Sequence, residues 1–92
     1  GMAEGVIAVD AQRRVLFAND RAGELLAFDA RRAVGADLFA VAVLQQFQDV
    51  VSRGLEGSAP HRDEFDVPKS AAHYSVYVSR FPGNGMPGAV VV

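Results

Sequence analysis

The sequence predicts an α+β fold, an antiparallel sheet with helices packed on one of its faces. Three observations predict it. Short β-type runs gather at both ends of the chain, the middle carries helical periodicity, and the joints between runs are short and polar. Strands grouped at the two ends with helices between them can share one sheet only if the chain returns to its start.

Val6-Ile7-Ala8-Val9 and Arg14 through Ala18 are the first two β runs, separated by the polar Asp10-Ala11-Gln12-Arg13. Runs this close read as a hairpin, although the turn holds no Gly. Asn19-Asp20 then offers a helix cap, and Ala22, Leu25 and Leu26 fall on one helical face. That helix breaks near Phe28-Asp29. Ala30 to Ala36 is a small-residue stretch, and Gly35 in it suggests a bend or a positive φ. Leu38, Val41, Leu44, Phe47, Val51 and Leu55 recur at three- and four-residue steps, which predicts one amphipathic helix of about five turns stopped by Gly57. His61 to Val67 alternates, Pro68-Lys69-Ser70 turns the chain, and Tyr74, Val76 and Val78 alternate with Ser75, Tyr77 and Ser79. Pro82-Gly83-Asn84-Gly85 is a hairpin turn signal, and a Val-rich strand closes the sheet. The predicted order is β-β-α-α-α-β-β-β in one domain.

The 92 residues allow one hydrophobic core, and half of them are hydrophobic. There is no cysteine, which removes disulfides, thiolate metal sites and Cys nucleophiles together. A net charge of -2 argues against a nucleic-acid partner. The basic pair Arg31-Arg32 reads as solvated. No apolar run approaches the roughly 20 residues that cross a bilayer, so no membrane span is expected in this segment. The expected location is cytoplasmic, with any anchor elsewhere in a parent protein. Gly1 ahead of Met2 reads as a tag remnant, and the closing β run suggests truncation at the end of the last strand.

With these residues at these joints, the chain resembles the PAS domain family over Glu4 to Val92. The likeness is carried by Glu4-Gly5-Val6-Ile7-Ala8-Val9-Asp10, by Val15-Leu16-Phe17-Ala18-Asn19, by Ala22, Leu25 and Leu26, and by Gly35-Ala36-Asp37-Leu38. Ala27 departs from it, standing where many members have Gly, and the closing Asp-Ile-Thr is absent. The resemblance implies a five-stranded antiparallel sheet with helices across one face, and a sensory input module, commonly upstream of a histidine kinase in a two-component system. It disfavours haem, because Leu38 to Gly57 has no His for an axial ligand, and it excludes cysteinyl-flavin photochemistry. Passive flavin binding stays open. If a small-molecule pocket exists, the resemblance puts it at Asn19, Leu26, Phe39, Phe47 and Tyr77. Asn19 would orient a polar ligand group or else cap the helix, and Phe39 and Phe47 would wall a cavity or else fill the core.

Several strands are apolar on both faces: Val6 and Ala8 against Ile7 and Val9, and Val76 and Val78 against Tyr77 and Phe81. A sheet with one wet face alternates cleanly. A second copy or flanking helices are therefore expected on the face away from the helices, making the domain a homodimer. Two other readings stand beside the sensor. One is a ligand-free dimerisation module of a transcription regulator or cyclase. The other is a small α+β enzyme using His61 or His73 with Asp63 as acid and base. The glycines around Asn84 form no phosphate loop, because no helix and no Lys follow them.

Overall fold

A computed structural model of the chain describes residues 3–57, 60–79 and 88–91. Five strands, β1 (Val6–Val9), β2 (Val15–Ala18), β3 (His61–Val67), β4 (Ala72–Ser79) and β5 (Gly88–Val91), form one sheet in the order β2-β1-β5-β4-β3. Every neighbouring pair is antiparallel. The first and last strands of the chain meet at its centre, where Val6 stands opposite Val91 and Val9 opposite Gly88. Both ends of the chain therefore build a single sheet, as the grouping of β runs predicts. The expected turn at Pro82-Gly83-Asn84-Gly85, together with Phe81 and Gly1, lies outside the described residues.

The β1–β2 turn solves its lack of Gly with Arg13, whose φ of 62° is left-handed. Asp10 Oδ1 accepts from the backbone N–H groups of Gln12 and Arg14 and closes the turn. The Arg13 side chain is held in turn by Asp37, with Nε and Nη2 donating to its two oxygens at 3.0 Å each, and by the Phe39 ring 3.8 Å below the guanidinium. Arg13, and next the Phe39 N–H, hold the Asp37 carboxyl below the usual carboxylate range. One register irregularity follows: Ala8 opposes Phe17 and Val9 opposes Val15, which leaves Leu16 as the extra residue of a bulge.

Four helices connect β2 to β3: α1 (Asp20–Leu26), α2 (Ala30–Ala33), α3 (Leu38–Val41) and α4 (Gln45–Glu56). The sequence periodicity predicts one long helix from Leu38, and this is corrected. The chain leaves helical geometry at Ala42 (φ -101°, ψ 93°) and resumes it after Leu44. The Gln48 side chain secures the break, donating to the carbonyls of Phe39 at 3.2 Å and Ala42 at 3.0 Å. Those carbonyls would otherwise lack partners at a helix end. The apolar steps stay in phase because both pieces face the same core. Gly57 does end α4, and Gly35 does take a positive φ of 88°.

All the packing lies on one side. α4 crosses β3 and β4, α2 sits on β2, and α1 on β1. Ile7, Val9, Val76 and Val78 of the sheet meet Leu26, Leu38, Phe47, Val50 and Val51 of the helices in one buried cluster. Full burial of side chains this size contributes roughly 1.5–3 kcal/mol each.

α1 ends on Ala27 at φ 61°, where its N–H and that of Phe28 both reach the Gly23 carbonyl. This left-handed cap position favours Gly, because a Cβ there meets the backbone. Ala27→Gly is therefore expected to raise stability by about 0.5–1 kcal/mol, read as a higher urea midpoint at unchanged slope.

Candidate functional site

The alternation of β3 and β4 sorts their side chains onto two faces. His61, Asp63, Phe65 and Val67 pair with Val78, Val76, Tyr74 and Ala72 on the helix side. Arg62, Glu64 and Asp66 pair with Tyr77, Ser75 and His73 on the outer side. The outer set is a compact polar cluster. His73 Nδ1 lies 2.8 Å from Asp66 Oδ1 and its Nε2 lies 2.8 Å from Glu64 Oε1. Only an imidazolium donates from both ring nitrogens. Asp66, and next Glu64, accordingly raise the His73 pKa above its ordinary value. Two strand positions away the Arg62 guanidinium lies 5.5 Å from the centre of the Tyr77 ring.

A cleft of about 490 Å³ opens beside this cluster, between the segment leading into β1 and the first half of β4. Glu4, Leu25, Arg62, His73, Tyr74 and Tyr77 are among the residues that line it. Its floor is rigid. The Tyr74 hydroxyl donates to the Leu25 carbonyl at 2.8 Å, and the Tyr74 ring stacks on Phe65 with centroids 5.2 Å apart. A carboxylate, a guanidinium and aromatic rings from both faces of the sheet thus line one cleft beside the first half of β4.

The structure separates the five pocket residues expected from the sequence. Leu26 and Phe47 are buried in the core, and Phe39 packs against that core from its edge under Arg13. Tyr77 lies on the other face of the sheet and lines the cleft. Asn19 caps α1 and ties it to β1. Its Oδ1 accepts from Ala22 N–H and Val6 N–H, both at 2.9 Å, and its Nδ2 donates to the Glu4 carbonyl at 3.0 Å.

The acid–base pair weighed from the sequence is not assembled. His61 and His73 stand on opposite faces and toward opposite ends of the β3–β4 ladder. Asp63 is engaged by Arg53 of α4 at 2.8 Å, and His61 Nε2 is buried without a hydrogen-bond partner. The carboxylates that reach His73 are Glu64 and Asp66, which the sequence shows only as a charged strand face. The signal that joins them is hairpin register. A four-residue turn at Pro68–Ala71 sets Asp66 opposite His73, and the sequence does not specify that length. Among the described residues no group of three or more His, Cys, Asp or Glu is placed to hold a metal ion. No helix among them is long and apolar enough to cross a membrane.

A family profile described as the PAS fold matches residues 2–92. The chain belongs to the PAS family. Solved structures agree with this PAS domain in fold. The photoactive yellow protein domain of the sensor histidine kinase Ppr from Rhodospirillum centenum superposes with a TM-score of 0.72 at 16% identity, covering 99% of this chain and 84% of that one. The PAS domain of the histidine kinase ThkA gives 0.69 at 14%, covering 96% and 94%. A domain of an HTR-like protein from Haloarcula marismortui gives 0.67 at 18%, covering 98% and 93%. No curated protein sequence matches the chain. At 14–18% identity these neighbours agree with the PAS domain in fold.

Proposed function

We propose that residues 1–92 form one sensory domain of a cytoplasmic signalling protein, a two-component sensor histidine kinase, and that it works as a homodimer packed through the outer face of its sheet. Binding of a ligand or partner shifts that packing, and the shift is relayed to an output domain. The sensor part of the reading is supported by the family and by neighbours taken from histidine kinases. The single observation that carries the dimer is apolar surface left on the side away from the helices. Phe17 is 53% exposed there, opposite Ala8, with Leu16 44% exposed beside it on β2. Val6 and Ala8 of β1 and Tyr77 of β4 are only half-buried on the same face.

A second copy fits this face because the face is complementary to itself. It carries an apolar strip at β1–β2 and both signs of charge at β3–β4, where Arg62 stands two residues from Glu64. With the two-fold axis across the strands, each apolar strip is covered by its copy and the charged ends meet each other. A stable pair needs about 800 Å² from each partner.

Sedimentation of the chain and of its Phe17→Glu variant tests the proposal. The wild type is expected to self-associate. The variant is expected to be monomeric with its thermal midpoint within a few degrees, since a half-exposed edge side chain adds little to folding. A monomeric wild type, or an unchanged association constant in the variant, would remove the dimer. In the full-length protein the same variant should change output activity.

The ligand-free dimerisation module keeps one observation in its favour. Leu26 and Phe47, expected as cavity walls, are buried in the core cluster. A bound small molecule carried through purification would decide against it.

A further inference from the structure

The outer face holds a group whose charge changes near neutral pH. We propose that the Glu64–His73–Asp66 cluster is a proton-responsive switch on the self-association surface, so that hydrogen-ion concentration is one input to the domain. This rests on the outer-face dimer proposed above and adds to it the nature of one signal.

The geometry carries the inference. Asp66 is directly opposite His73, and Glu64 is one diagonal position away, so both carboxylates reach the same ring from one neighbouring strand. With the ring protonated, both contacts are charge-assisted donations. Once it loses a proton, one nitrogen becomes an acceptor facing a carboxylate, and two lone pairs oppose each other at the former hydrogen-bond distance. One of the two acids must then swing away, and the cluster passes from one net negative charge to two. The other charged groups near His73 do not cancel that change. Arg62 and Glu4, which line the same cleft, have opposite signs. The residues of β5, Gly88–Val91, carry no ionisable group.

The consequence lies in where the charge appears. The cluster shares the outer face with Tyr77, Val6, Ala8 and Phe17, all within the roughly 20 Å width of five strands. In a two-fold pair that face meets its own copy, so loss of one proton from each copy adds one negative charge on each side of the interface. The chain already carries a net charge of -2, and further negative charge raises self-repulsion. The direction follows from the raised His73 pKa. The contribution of the protonated cluster is complete below about pH 6.5, and it is lost as pH rises through the elevated midpoint.

Sedimentation equilibrium at about pH 6 and about pH 8.5, beside NMR titration of the two histidine rings, tests the switch. Exposed pairs of this kind couple weakly, so dimer dissociation is expected to strengthen by about two- to fivefold at the higher pH. His73→Gln should flatten that dependence. Glu64→Gln with Asp66→Asn should lower the His73 midpoint toward the ordinary imidazole value. A dimer equally tight at both pH values, or a pH dependence that persists unchanged in His73→Gln, overturns the switch and leaves the dimer standing. A chain that is monomeric throughout overturns both.

Discussion

Val76→Asp is expected to lower the urea midpoint far below that of the wild type at neutral pH. Val76 is fully buried, and its register partner on the helix side of the sheet is Asp63. The substitution puts a carboxylate into the apolar cluster beneath α4, directly across from an existing carboxylate. Arg53 already serves Asp63 at 2.8 Å, so the new charge gains no cation of its own. Breaking the balance of a buried charge in this way costs about 3–5 kcal/mol, against a total stability of about 5–15 kcal/mol for a domain. Val76→Ala separates charge from volume. Loss of two methyl groups should cost only about 1–3 kcal/mol and leave a folded protein with a lower urea midpoint. If Val76→Asp unfolds at the same denaturant concentration as Val76→Ala, the strand does not face the core as described.

The second large effect is at Gly54, where an ordinary expectation reverses sign. A helical Gly replaced by Ala gains about 1 kcal/mol when the site is open. Gly54 lies in α4 against β4, and a Cβ built there would stand 2.5 Å from Val78 Cβ and 2.7 and 2.9 Å from its two methyl groups. Val78 is fully buried, so it has nowhere to turn. Helix and sheet must separate, and Gly54→Ala is expected to destabilise by about 1–3 kcal/mol. Adding Val78→Ala to it removes two of the three close contacts. The double variant should therefore lose less than the sum of the two single losses. Additive losses in chemical denaturation would mean that α4 and β4 do not approach so closely.

Much of this architecture is legible in the sequence because its signals are local. The alternation in His61–Val67 and Tyr74–Ser79 yields β3 and β4 and the face each residue occupies. The Asn19-Asp20 pair yields the start of α1, and Gly35 the bend after α2. The break between α3 and α4 is hidden because it keeps the apolar period. Only Gln48, reaching back to two carbonyls, marks it, and a glutamine in a helix carries no such meaning by itself. The candidate site was less legible, for a related reason. His73, Glu64 and Asp66 are visible as residue types, but what joins them is a hairpin register set by turn length. Asn19 shows the opposite case. Its place as a cap is local and readable, while its bonds to Val6 and Glu4 depend on a strand lying alongside.

The strand order has a kinetic consequence. The middle position of the sheet is filled by β5, the last strand made, which pairs with the first. Nearly the whole chain must be looped closed before that pairing exists, and contacts so distant in sequence slow the search for the native state. Until Val91 has emerged from the ribosome, the β1–β2 and β3–β4 hairpins have no common partner. They present open edges that other chains can join. Folding of this domain therefore cannot complete before β5 is available, and the interval before that step is when it is most prone to aggregate.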